Sequence, residues 1–337
     1  MNSANAPVLY DNIFSCQRRL LCKNQFPYLC FELTRYMKKV AHFIAFLFFL
    51  LFAGIFALIP FRILYIISDG VFVILYHLAG YRKKVVSQNL ERSFPDKEKA
   101  ELKKIEKAYF RHLSDLLVES VKGFTMPKKS VIRRHRLSDK GMGDAYTKQN
   151  QSFMVVVGHF NNWEWGSMSG GLQLNAPVMV LYKPLSNPFI DRFLEKRRKS
   201  FGSELVSIRQ TVRAFEKRKN EPFAYILAAD QNPGRTKNVH WVRFLNQDTA
   251  CLHGPETYAR RYNLPVIYLE IQKVKRGHYV MVPELLTNNP SELPEGEIIR
   301  RYMKSLEQSI RKQPEFWLWS HRRWKKKKPE NVKPMTL

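Results

Sequence analysis

The chain reads as an α/β protein built on a mostly parallel central sheet flanked by helices, with an N-terminal membrane-anchoring helical segment. Two observations predict this. From residue 151 onward, short apolar runs that are continuous rather than alternating trade places with helical stretches, as expected of strands buried on both faces between crossover helices. Ahead of them, residues 40–61 read "VAHFIAFLFFLLFAGIFALIPF" and hold no Asp, Glu, Lys or Arg. About 20 such residues suffice to cross a bilayer core as a helix.

Composition narrows the function classes. With 45% hydrophobic residues among 337, the chain can bury a sizeable core. Its formal charge of +27 suits nucleic acid, an anionic membrane surface, or an acidic or phosphorylated partner. The basic residues are spread along the chain and no nucleic-acid motif is present, so nucleic acid is set aside. Cys16, Cys22, Cys30 and Cys251 match no zinc spacing. They read as reduced thiols, which favours the cytoplasmic side of a membrane.

Taken in order, residues 1–39 form an N-terminal tail, and Met37, followed by two lysines, offers an alternative translation start. Residues 40–81 form the anchor. Its second apolar part, Ile63 to Tyr81, contains Asp69 and ends at Arg82, Lys83 and Lys84, while Arg35, Lys38 and Lys39 precede the first part. Basic residues at both ends fit a hairpin turning near Pro60 and fit equally a single span followed by an interfacial helix. The main domain covers 82–325. Asp96 to Phe124 reads as an amphipathic helix with Leu102, Ile105, Leu113, Leu116 and Val121 on one face. The strand candidates are "FMVVV", "PVMVLY", "FAYILAAD", "VHWVRF", "PVIYLEI" and "HYVMV". Helices are expected near 187–199, 211–219, 253–262 and 295–311. The basic tail, 326–337, is expected to be disordered.

The stretch "MVVVGHFNNWEWG", residues 154–166, concentrates the chemistry. Gly158 frees the backbone where the strand ends, and His159 follows at the edge where open α/β sheets bind ligands. Asn161 or Asn162 caps the helix that starts here. His159 and Glu164 would diverge by roughly 140° on one continuous helix. They can meet only if the histidine precedes the turn and the glutamate follows it. A carboxylate on one imidazole nitrogen would make the other a general base. Asn161 with Glu164 also fits a plain capping box, and the residues alone leave both readings open.

The segment resembles the His-x4-Asp/Glu motif of the glycerolipid acyltransferase superfamily. More narrowly, the chain is similar to the late acyltransferases of lipid A biosynthesis. The features occur in order as "RKKVVSQNLERSFPD", "GHFNNWE", "YKPLSNP", "ADQNPG", "HGPETYARRYNLPVIYLEI" and "QPEFWLWSHRRWK". Two departures stand out: Tyr182-Lys183-Pro184 where the family commonly has Tyr-Arg-Pro, and Phe244-Leu245-Asn246 in place of Phe-Phe-Gly. Lysine keeps the charge and loses the bidentate fork.

The resemblance implies transfer of a fatty acyl group from an acyl carrier protein thioester, or from acyl-CoA, to a hydroxyl of a lipid A precursor. It implies no metal or other cofactor, and an enzyme anchored in the inner membrane with its catalytic domain on the cytoplasmic side, against anionic lipid. His159 would take the hydroxyl proton and Glu164 would orient His159. Lys183 is the candidate oxyanion donor. Asp230 and Gln231 follow another strand end; Asp230 would position Arg243 or shape the acceptor pocket. Arg322 and Arg323 are candidate phosphate contacts, and Trp317 and Trp319 read as a packed cap. The same enzyme class acting on an aminolipid or other hydroxylated lipid also fits. A metal hydrolase using His240 or His253 lacks the helical ligand pairing such sites need.

Overall fold

The computed structural model describes residues 27–234 and 239–337, with side chains described from residue 32 onward. Cys16, Cys22, the side chain of Cys30 and most of the N-terminal tail lie outside the described residues. The chain divides into two units, one of residues 1–52 with Leu185–Arg192, the other of Ala53–Pro184 with Phe193–Leu337.

The helix α1 (Pro27–Leu58), which belongs to the first unit as far as Phe52 and to the second from Ala53, runs well beyond the uncharged stretch at its N-terminal end. Asn187 donates its side-chain amide to the His42 carbonyl at 2.8 Å. The Phe189 ring packs 5.4 Å from Phe43 and 6.1 Å from Phe46. Pro60 then starts α2 (Phe61–Val73), which continues into one π-helical turn, Ile74–Leu78. Both helices are long and apolar enough to cross a membrane.

The second unit holds a seven-stranded sheet in the order β1-β9-β8-β2-β5-β3-β4. Its strands are β1 (His135–Leu137), β2 (Phe153–Val157), β3 (Val178–Tyr182), β4 (Ser203–Ser207), β5 (Ala224–Ala228), β8 (Val266–Lys275) and β9 (His278–Thr287). Every neighbouring pair is parallel except β8–β9. A smaller sheet pairs β6 (Val239–Phe244) with β7 (Gln247–Leu252) and β10 (Met335–Thr336). The central position of β2 explains its composition: Phe153 to Val156 are all buried, because helices cover both faces.

The flanking helices are α3 (Lys83–Ser93), α4 (Lys99–Gly123), α5 (Lys128–Arg134), α6 (Gly141–Lys148), α7 (Trp163–Gln173), α8 (Pro188–Ser200), α9 (Thr211–Arg218), α10 (Gly254–Arg261) and α11 (Glu297–Lys312). The helix α11 is the clearest amphipath, burying Ile298, Ile299, Tyr302, Met303, Leu306 and Ile310 in the main core. The expected elements are present with ends shifted by a few residues. The edge strands β1, β4 and β7 and the helices α3, α5 and α6 are additional. Their half-polar sequences carry little periodic signal, and neighbours rather than propensity hold them.

The tail corrects an expectation. Residues 326–337 are not disordered throughout, since Met335 and Thr336 pair with Val242 and Arg243 as β10. Met335 packs against Gly296 and the main core, which supplies the burial that charge counting along the tail does not see. At the β6–β7 turn, Leu245 and Asn246 both take left-handed backbone, with φ of 48° and 61°. That is the geometry of a two-residue hairpin turn, strained for a leucine and easy for asparagine. Burial of Leu245 and a bond from its amide to Glu307 Oε2 at 2.6 Å hold it there.

Candidate active site

Strand register builds the site. On the parallel pair β2–β5, Val157 stands opposite Ala228. Two residues further along each strand come His159 and Asp230, so neighbouring strand ends deliver an imidazole and a carboxylate side by side. His159 Nδ1 lies 2.6 Å from Asp230 Oδ1, and the His159 backbone N–H donates to Asp230 Oδ2 at 2.8 Å. Trp317 Nε1 donates to the same Oδ2 at 2.8 Å.

Asp230 has 2% of its side chain exposed and His159 has 18%, so solvent reaches the base but not its partner. Burial opposes a charge on either group, yet each shifts toward its charged form. Burial lowers the His159 imidazole, and the charge and hydrogen bond of Asp230, with the charge of Glu164, raise it further than burial takes it down. Burial raises the Asp230 carboxyl, and the imidazole and its donors bring it down to about 2. With Nδ1–H on Asp230, the lone pair of Nε2 is the outward basic site. Gln231 Nε2 stands 3.1 Å from it, and the edge of Trp163 walls the imidazole at 5.3 Å between ring centroids.

The expected His159–Glu164 contact is replaced. Glu164 sits in the first turn of α7, and its Oε2 accepts from Arg198 Nη2 at 2.6 Å. A residue in the helix has already turned away from the strand end, whereas Asp230 arrives in register with it. Glu164 thus acts on His159 through its charge. Arg198 comes from α8, and its Nε has no hydrogen-bond partner among the described residues. Asn162 is the helix cap, accepting from Trp165 N at 2.9 Å, and no Asn161–Glu164 capping box forms. Asn161 takes left-handed backbone instead, with φ of 52°.

The other expected residues divide. Gln231 is at the site. Lys183 is exposed directly after β3, on the same sheet edge. Arg243 does not meet Asp230; it pairs with Asp248 across the β6–β7 hairpin at 3.2 Å, because both belong to opposite positions of that ladder. Arg322 is exposed. Arg323 is buried, with Nη2 3.6 Å from Cys251 Sγ, so it does not present a surface to a phosphate. Trp317 and Trp319 are packed as a cap, and Trp317 also grips Asp230. His321, brought down to about 4 by burial, accepts the Asn232 N–H at 3.1 Å and steadies the loop after Gln231. Among the described residues no group of three His, Cys, Asp or Glu stands ready for a metal.

Sequence reasoning missed Arg198 and the bond from Asp230 to His159. The signal for the second was two apolar runs each ending in a polar group, "FMVVVGH" and "AYILAAD", which register aligns.

An oriented histidine at the carboxyl end of a central parallel strand, with Nε2 facing outward beside the Gln231 amide, is equipment for activating a hydroxyl or water toward an acyl carbon. The chain belongs to the bacterial lipid A biosynthesis acyltransferases, whose family model matches residues 33–326, and it is accordingly an acyltransferase. It is 23% identical over 275 residues to the lipid A biosynthesis lauroyltransferase of Escherichia coli (strain K12), covering 81% of this chain and 89% of that one. It is 26% identical over 281 residues to the lipid A biosynthesis acyltransferase of Haemophilus influenzae, covering 81% and 88%.

Proposed function

We propose that the chain is a membrane-anchored O-acyltransferase that moves a fatty acyl group from an acyl carrier protein thioester to a hydroxyl of a lipid A precursor. It works at the cytoplasmic face of the inner membrane. The observation that carries the mechanism is the 2.6 Å contact of His159 Nδ1 with buried Asp230, which leaves Nε2 as the base. Nε2 takes the acceptor's O–H proton while that oxygen attacks the thioester carbonyl. The tetrahedral oxyanion then collapses, the C–S bond breaks, and the imidazolium returns its proton to the departing thiolate. No enzyme group is acylated. Asp230 stabilises the imidazolium throughout.

Gln231 occupies Nε2 in the resting site, and the acceptor hydroxyl displaces it. Glu164 fixes the Arg198 guanidinium, whose charge would serve the anionic acceptor or the oxyanion. Lys183 serves the same charge from the neighbouring strand end. The net charge of +27 favours an acidic carrier protein as donor over a small acyl-CoA.

Membrane fractions supplied with labelled acyl carrier protein or labelled acyl-CoA, and with lipid A precursor, test this reading. The parent should label the precursor from the carrier protein, and His159→Ala should not. Label appearing in another membrane lipid, with the precursor untouched, would move the acceptor to an aminolipid or other hydroxylated lipid. Equal transfer from acyl-CoA would remove the carrier protein from the reading.

A further inference from the structure

The helix α2 has two unlike faces. Inward, Leu64, Ser68 and Phe72 are buried. Ser68 Oγ donates to Asp115 Oδ1 of α4 at 2.7 Å, and Tyr65 donates to Glu119 Oε1 at 2.7 Å. Arg276, at the β8–β9 tip, pairs with Asp69 and with Asp115, each at 2.7 Å. Outward, Ile63, Ile66, Ile74 and Leu78 are 49%, 69%, 52% and 76% exposed, an aliphatic row that nothing in the chain covers among the described residues. Beside it the β8–β9 tip carries exposed Val274 and Lys275. Arg134 lies over the Phe61 ring at 3.4 Å and donates to Gly277 O at 3.2 Å, which ties the basic end of α5 to the same edge.

We propose that α2 lies flat on the bilayer, its outer aliphatic row in the headgroup–acyl boundary and the basic tip on anionic headgroups, so that α1 alone crosses. Two observations carry this. Lys122 of α4 donates to the carbonyls of Phe56, Ala57 and Ile59 at 2.9, 2.7 and 2.8 Å. The end of α1 is therefore held by the catalytic unit itself. In a hairpin turning at Pro60, that end would lie a bilayer away from α4. The second is the cost of crossing: α2 would draw Asp69, Asp115 and Arg276 into hydrocarbon, at about 2.5–3.5 kcal/mol for each charge near the centre. A helix with an apolar outer row, polar inner ties and basic neighbours is instead suited to the interface plane. The chain enters α2 directly from the spanning helix, so this face is delivered to the lipid surface.

The test uses the full chain in phosphatidylglycerol-containing vesicles, in a cysteine-free background that keeps the parent's thermal-unfolding midpoint. Single spin labels go at Phe48 of α1 and at Ile63, Ile66, Ile74 and Leu78, and depth is read from oxygen and nickel-chelate accessibility. The four α2 positions should share one shallow depth, within about 5–10 Å of the acyl boundary. A depth that changes along them by up to about 22 Å would show a crossing helix. Water-exposed labels, or spin–spin broadening from a second copy, would overturn the lipid assignment as well. The Phe48 label reports anchoring separately, and depth needs no turnover, so failure of the proposed reaction would leave this result standing.

Discussion

At the scale of single residues, His159 and Asp230 form one chemical unit, and their separation by 71 residues in sequence is bridged by a single register pairing. Replacing His159 with alanine should lower transfer by about 10²–10⁴-fold, the usual worth of a positioned base. Asp230→Asn should fall in the same range, because an amide can hold the ring in the wrong tautomer. Steady-state transfer at saturating carrier protein measures both. The acid limb of the rate gives an independent check. Asp230 raises the imidazole, so the neutral base is lost at a pH above the ordinary histidine value of 6.5. Removing the carboxylate takes that support away, and burial then pushes the same way. The acid midpoint of Asp230→Asn should therefore move to lower pH. A midpoint that stays put would assign the limb to another group.

At the scale of elements, the turn that carries Asn162 and Glu164 is braced from behind by Glu119 of α4. Its Oε2 accepts from Asn162 at 2.7 Å and from Tyr279 at 2.8 Å, and its backbone oxygen accepts Trp165 Nε1 at 2.9 Å. Burial pushes the Glu119 carboxyl up to about 7. A raised folded value means that its contribution to stability is present below about pH 4.5 and lost as pH rises through about 7. Chemical denaturation in detergent should show stability falling across that window, and Glu119→Gln should flatten it. Glu119→Ala should be worse at every pH, since the buried donors lose their acceptor, at about 1–3 kcal/mol each. A second brace is the crossing of α7 over the chain before β4. A Cβ on Gly171 would sit 2.7 Å from Phe201 O and 2.8 Å from the Gly202 carbonyl carbon, and Gly202 itself has φ of 88°. Both obstacles are backbone and cannot rotate aside. Gly171→Ala should cost about 1–3 kcal/mol, read as a lower midpoint of thermal unfolding.

At the scale of the whole molecule, the excess of 56 basic over 29 acidic residues acts as a field rather than as a set of bonds. Exposed charges are screened within about 8 Å at physiological ionic strength. Raising salt should therefore increase the KM for the proposed carrier-protein donor while leaving kcat unchanged, since Asp230, the charge partner of His159, is buried where salt screens it little. A kcat that falls in parallel would place the salt effect in the chemistry. The fold was largely legible because β2, β5 and α11 carry patterns that water imposes on any chain: continuous apolar runs for a covered sheet, a 3.6-residue stripe for a covering helix. The edge strands β1 and β4 were not, since a strand with one neighbour is held by that neighbour rather than by its own composition.

The sequence by itself determined that an acyltransferase-like histidine stands at a strand end, behind an apolar segment long enough to cross a membrane, in a strongly basic chain. Those are local patterns, readable without knowing what packs where. The tertiary structure decided the partners: Asp230 rather than Glu164 on His159, Arg198 on Glu164, Asp248 on Arg243, and burial instead of exposure for Arg323. Which carboxylate meets which cation depends on strand order and register, and register is settled by the burial of whole faces summed over the sheet.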